Sequence, residues 1–154
     1  MNKKDIMLKG IEKADMNMRL NIGGPFGAVV VKDNEIICIV SNTVLKDNDP
    51  TAHAEINAIR EAGKKLGTYD LTGCELYATG YPCPMCLSAI IWSNIKKVYY
   101  CNDVKMAKRI GFRDDFIYDF IKNREQGNLS GAFSPLHIEG LQMDEGKQLY
   151  ENYT

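Results

Sequence analysis

The stretch from Glu75 to Cys101 constrains this chain most. Glu75–Thr79 reads as a strand, Pro84–Trp92 as a helix and Lys97–Cys101 as a further strand. The connection between the two strands is short and carries one helix, so the strands are expected to lie parallel through a right-handed crossover. A crossover helix has to pack on one face of the sheet, which commits the chain to an α/β architecture.

The rest of the sequence alternates between two hydrophobic periods. Ile6, Met7, Ile11, Ala14 and Met18 mark a helical stripe over about Lys3–Leu20, ended by Asn21-Ile22-Gly23-Gly24-Pro25. Ala28–Val31 and Ile36–Val40 flank Asp33-Asn34, a hairpin signal. A polar loop, Ser41–Thr51, leads to a helix over about Ala52–Leu66. Beyond Cys101, helical pieces are expected at about Val104–Ile110 and Asp115–Lys122. A short strand near Leu136–Glu139 and a last helix near Asp144–Tyr153 follow. Together these predict a three-layer α/β/α sandwich with a mixed five-stranded sheet and helices on both faces. The 154 residues suit a single domain, 1–154, without internal repeats.

Composition removes several classes of function. Nineteen Lys and Arg stand against twenty Asp and Glu, a formal charge of −1, which excludes a protein that grips nucleic acid by overall charge. Hydrophobic residues at 45% and charged residues at 25% match a globular chain, not a disordered one. No apolar run approaches the roughly 18 residues of a spanning helix, and MNKKDIMLKG lacks the apolar stretch of a signal peptide. Five cysteines, two of them in Cys83-Pro84-Met85-Cys86, then point to metal or redox chemistry in the reducing cytoplasm.

The chemistry concentrates in His53-Ala54-Glu55 and Pro82-Cys83-Pro84-Met85-Cys86, which each open an expected helix. Cysteines three apart at a helix start share one face and can chelate one ion. Free N–H groups and the helix dipole favour thiolate there, and a proline entering a helix loses no needed donor. His53 supplies a third ligand of the kind zinc accepts, leaving a fourth position for water. Glu55 projects to another side of its helix and is free for proton transfer. Zinc lowers the pKa of its water toward ~7, so hydroxide becomes available at neutral pH. A carboxylate beside that water can shuttle its proton to a ring nitrogen and on to a leaving amine. His-x-Glu some thirty residues before Pro-Cys-x-x-Cys is the signature of zinc deaminases. A thioredoxin-like pair leaves His53 and Glu55 unexplained, and a structural zinc site would need a fourth ligand. Cys38 and Cys101, in apolar strands, and Cys74 read as buried and inert, and His137 receives no role.

At this level the chain resembles the bacterial guanine deaminases of the cytidine-deaminase fold. The resemblance rests on Gly23-Gly24-Pro25-Phe26-Gly27-Ala28, Asn48-Asp49-Pro50-Thr51-Ala52-His53-Ala54-Glu55, Pro82–Cys86 and Gly111-Phe112-Arg113-Asp114-Asp115-Phe116-Ile117-Tyr118. It implies one Zn2+ per chain held by His53, Cys83 and Cys86, and Glu55 as the proton shuttle. It also implies a base read by Asn42 and Asp114, an aromatic stack from Phe26, and a backbone N–H from Ala54 or Cys83 near the metal-bound water or the leaving group. Tyr153 would close the pocket. The expected reaction is guanine to xanthine and ammonia, in a cytoplasmic homodimer whose segment of about 132–154 closes the site or swaps across Gly127–Gly131.

Bland readings stand beside these. Asn42 fits an Asx turn, Asp115 an N-cap for the helix through Phe120, and Phe26 a core filler. Tyr99, Tyr100 and Tyr118 suit packing. The family usually carries Glu where this chain has Tyr81, which could turn the pocket toward another aminopurine or toward cytosine or cytidine. The tRNA adenosine deaminases share the zinc motifs. However, the Lys105, Lys108, Arg109 and Arg113 run is offset by Asp103, Asp114 and Asp115, which fits a solvated face better than a nucleic-acid contact. A non-catalytic zinc module is the alternative from another class.

Overall fold

The computed structural model describes residues 1–112, 114–125 and 138–153. The chain divides into a larger unit, Met1–Asp115, and a smaller one from Phe116 onward. The larger unit runs α1 (Lys3–Arg19), β1 (Gly27–Lys32), β2 (Glu35–Ser41), α2 (Val44–Asp47), α3 (Ala54–Leu66), β3 (Cys74–Gly80), α4 (Pro84–Trp92), β4 (Lys97–Asn102) and α5 (Val104–Arg109). α6 (Asp114–Glu125) begins at its end, and α7 (Asp144–Glu151) lies in the smaller unit. Among the described residues no helix is long and apolar enough to cross a membrane.

The sheet has the order β2-β1-β3-β4, with β1 antiparallel to both neighbours and β3 parallel to β4. The expected crossover through α4 is therefore present. Asp33 and Asn34 both adopt positive φ, 50° and 66°, as a two-residue hairpin turn between β1 and β2 requires. On β1 the period-two pattern divides the core. Ala28 and Val30 face Ala54, Ala58 and Ala62 of α3 and Ile90 of α4, while Val29 and Val31 face Ile6 of α1. Helices thus cover both faces of the sheet, as the sequence predicts. α1 lies close on β1 because Gly27 has no side chain. A Cβ on Gly27 would sit 2.1 Å from the Gly10 carbonyl oxygen.

Three expectations need correction. The sheet has four strands among the described residues, not five. Leu136 and His137 fall outside those residues, and Ile138 and Glu139 form no strand. Leu136–Glu139 alternates like a strand, but four residues directly after Pro135 are too few for the pattern to decide. The loop Ser41–Thr51 contains the single turn α2, too short for periodicity to register. The helix expected from Ala52 starts at Ala54, because His53 is extended (φ −66°, ψ 157°) and occupies the N-cap.

Candidate active site

Two helix starts converge beside the end of β3. His53 is the N-cap of α3 and Cys83 the N-cap of α4, neither with a side-chain cap hydrogen bond. Pro84 fills the first position of α4, where an absent N–H costs nothing, and the helix turn places Cys86 beside Cys83. Both side chains that would ordinarily cap these helices are thereby released for other work.

His53 Nδ1 lies 3.6 Å from Sγ of Cys83 and 3.6 Å from Sγ of Cys86. Tetrahedral zinc, with Zn–N about 2.0 Å and Zn–S about 2.3 Å, requires an N-to-S separation of about 3.6 Å. The donor set therefore fits zinc in type and in spacing. Among the described residues these three form the metal-ligating group, with all donor atoms within 4.8 Å of one another and no fourth ligand. Three protein ligands are the arrangement of a catalytic site rather than a closed structural one.

The charges are tuned by the same packing. Cys83 is pulled down to about 4, first by the hydrogen bond from Cys86 and then, against burial, by His53. Cys86, which donates to Cys83 and is buried, is held above the ordinary thiol range. His53 is raised by its bond to Cys83, with burial opposing. Glu55, in the first turn of α3, is 7% exposed and its carboxyl is pushed up to about 7, chiefly by burial. Asp114 is half-buried and raised, first by burial and then by the negative charge of Cys83.

One pocket is lined by His53, Glu55 and Cys83 together with Asn42, Asp114, Phe26, Phe112, Tyr81 and Gly80. Most of the residues expected from the sequence therefore meet. Asn42 is buried, and its Oδ1 accepts from the N–H of Gly24 at 3.3 Å and of Val44 at 3.0 Å. The Asx turn and the pocket position thus coexist in one residue. Because both lone pairs of Oδ1 are engaged, Nδ2 is the group left for a ligand. Ala54 opens α3 and is fully buried beside His53. Tyr153 is exposed and belongs to the smaller unit. His137 lies outside the described residues.

Phe112 belongs to the site although nothing but its place in the Gly-Phe motif marks it in the sequence. Its ring packs edge-on against Phe26, centroids 4.8 Å apart, so the aromatic wall is a pair. Tyr81 is at the rim, edge-on to Tyr100 at 5.1 Å. Asp115 is not an N-cap. α6 starts one residue earlier, and Asp115 pairs with Lys108 at 2.9 Å. Cys38 and Cys74 are buried as expected, but Cys101 is exposed because β4 is an edge strand.

The family model for the cytidine and deoxycytidylate deaminase zinc-binding region matches residues 1–102. The chain is 48% identical over 118 residues to the guanine deaminase of Bacillus subtilis (strain 168), covering 77% of this chain and 76% of that one. It is 51% identical over 76 residues to the tRNA-specific adenosine deaminase of Aquifex aeolicus, about half of each chain (49% and 50%). The crystal structure of the Bacillus subtilis guanine deaminase superposes with a TM-score of 0.87 at 39% identity, over 100% of this chain and 96% of that one.

Proposed function

We infer the activity from a premise supplied by these similarities: the chain belongs to the zinc-binding family of cytidine and deoxycytidylate deaminases. We propose that it hydrolyses the exocyclic amine of guanine, consuming one water and releasing xanthine and ammonia. The observation that carries the reading is the single pocket in which His53, Cys83 and Glu55 meet Asn42, Asp114 and the Phe26–Phe112 pair. The similarity to guanine deaminase over three quarters of the chain supports guanine over the other bases.

His53, Cys83 and Cys86 would hold the zinc ion, which when bound supplies water acidified toward ~7. Glu55 lines the pocket with His53 and Cys83, outside the ligand trio but in hydrogen-bond contact with Cys86. Its carboxylate takes one proton from the attacking water and hands it to the ring nitrogen next to the reacting carbon; it then takes the second proton from the hydroxyl now on that carbon and passes it to the amine as the C–N bond breaks, so that one water supplies both protons. Phe26 and Phe112 supply an apolar wall for the base. Asn42 donates from Nδ2 to a ring-edge acceptor, and Asp114 accepts from a ring N–H. Ala54 contributes its free backbone N–H at the start of α3, a position suited to developing negative charge.

We further propose a cytoplasmic homodimer, in keeping with free thiols at Cys83 and Cys86. Its segment 132–154 would close the pocket with Tyr153, in the same subunit or by exchange. The exposed apolar side chains Leu149, Tyr150 and Tyr153 support a covered role for that segment. Tyr81 in the pocket wall favours a second reading, turnover of a related aminopurine. The test is ammonia release by the zinc-loaded chain from guanine, guanosine, adenine, cytosine, cytidine and a tRNA anticodon stem-loop. Turnover of guanine alone supports the proposal, and turnover of another substrate in its place overturns the assignment of the base.

A further inference from the structure

Asn57 lies in α3, one helical turn beyond His53, where asparagine is a poor helix former because its amide competes for backbone groups. Here the amide joins two loops. Its Nδ2 donates to the Ser41 carbonyl at 2.9 Å and to Thr43 Oγ1 at 2.9 Å, with a longer contact to the Ala52 carbonyl at 3.4 Å. Carbonyl oxygens only accept, so the nitrogen must face them and the amide orientation is fixed. Thr43 Oγ1 gives its own hydrogen to Asp47 Oδ2 at 2.6 Å, which frees its lone pairs for Asn57. Two backbone bonds run in parallel. The Thr43 N–H donates to the Ala52 carbonyl at 3.0 Å, and the Asn57 N–H to the His53 carbonyl at 2.9 Å.

One arm of the pocket, Ser41–Thr43, carries Asn42. The other, Ala52-His53, carries a metal-ligating side chain. Both meet on Asn57, which is not itself among the residues lining the pocket. We propose that Asn57 is a positioning residue that sets the Asn42 arm against the His53 arm, and so controls how well the base is held without touching base or metal. This rests on the proposed deaminase reading of the same pocket. Glu55 sits within α3, Cys83 and Cys86 open α4, and His53 is tied to α3 by its own carbonyl, which accepts from the Asn57 backbone N–H; the side-chain amide instead makes its two short bonds to the Ser41–Thr43 arm. Loss of the amide should therefore act on substrate binding more than on the chemical step.

The experiment compares the zinc-loaded wild-type chain with Asn57→Ala, Asn57→Asp and Thr43→Val, by steady-state kinetics on guanine, zinc content and backbone hydrogen exchange. The expected result for both Asn57 variants is a KM raised by roughly tenfold or more, the equivalent of about 1.4 kcal/mol, with a smaller change in kcat and unchanged zinc content. Thr43→Val moves KM the same way by less, and combined with Asn57→Ala it adds less than its separate effect. Exchange protection falls together at Asn42, Thr43 and Val44 while the β1 and β3 amides keep theirs. A merely structural role would instead lower kcat in proportion to the fraction folded, leave KM in place and spread the loss of protection over the sheet; that pattern overturns the inference. Silence of the wild-type chain on guanine would refute the proposed function, and the exchange pattern would still decide whether Asn57 joins the two arms.

Discussion

Glu55→Gln changes one atom of the pocket and separates three quantities. The amide keeps the size of the carboxyl but can neither take up nor return a proton. A positioned acid–base group contributes about 10²–10⁴ in rate, so kcat should fall by that factor, about 3–5 kcal/mol of barrier. Zinc content should not change, because Glu55 is outside the ligand trio. Stability should rise. In the metal-free chain, burial holds the Glu55 carboxyl at about 7 instead of 4.5, which at about 1.4 kcal/mol per pH decade disfavours its ionised form by about 3 kcal/mol. The sign follows from proton counting. Below about pH 4.5 folded and unfolded chains both hold the proton, and the group adds no pH dependence. From there to about 7 the unfolded chain has lost it while the folded chain retains it, so stability falls with pH and levels off above 7. Metal-free Glu55→Gln should thus match wild type near pH 4 and exceed it by up to about 3 kcal/mol at pH 8, or about 6–12 °C in Tm for a chain of this size. Urea unfolding of both chains from pH 4 to 8, beside ammonia release by the zinc-loaded forms, checks both halves. A variant that keeps a tenth of wild-type kcat refutes the shuttle role, and parallel stability curves refute the burial argument.

Asn42→Asp retains an oxygen for the Gly24 and Val44 N–H groups but replaces Nδ2, the group left for a ligand, with a second oxygen. With a ring-edge acceptor left unpaired, kcat/KM on guanine should fall by about 5- to 150-fold, the equivalent of about 1–3 kcal/mol, while folding is retained; unchanged kcat/KM would exclude donation from Asn42. Removing zinc with a chelator should abolish turnover and lower Tm, and both should return on adding zinc. A thousandfold excess over Kd stabilises by about 4 kcal/mol, so an unchanged Tm would mean the trio holds no ion. In the folded, zinc-loaded chain Cys101 should react promptly with a thiol reagent, whereas Cys38 and Cys74, buried and raised above the ordinary thiol range, should react only on unfolding. Slow reaction at Cys101 would show that the β4 edge is covered in solution.

Much of the fold could be read from local pattern because local and long-range forces agree there. β1 alternates its burial partners at every residue, and Asp33-Asn34 is nearly a sufficient instruction for the hairpin. The same reasoning gives too much after Pro135, where a few alternating residues mimic a strand that Ile138 and Glu139 do not form. It misplaces Cys101 as well. β4 has an apolar sequence but is an edge, and edge or centre is decided by strand order, which no single strand encodes.

That His53, Cys83 and Cys86 meet, with Glu55 beside them, was legible for a different reason: metal chemistry allows few residue types, and helix starts fix their spacing. Asn42 shows where such legibility ends. As a residue type it offers a donor and an acceptor, so the sequence permits either polarity toward a base. The folded chain removes that freedom by spending Oδ1 on two backbone N–H groups, one from the Gly24 loop and one from the start of α2. A Cβ on Gly23 would lie 2.1 Å from the Asn42 carbonyl oxygen, so the two loops also need a glycine to approach at all. The polarity that Asn42 would offer to a base under the proposed reading is thus set by backbone groups of the Gly24 loop and of the start of α2. Phe112, which completes the aromatic wall, belongs to a third segment. Substrate preference in this fold can therefore change through loop contacts while the zinc motifs stay fixed, which is why Tyr81, at the rim of the pocket, is the position at which a change of base would first be sought.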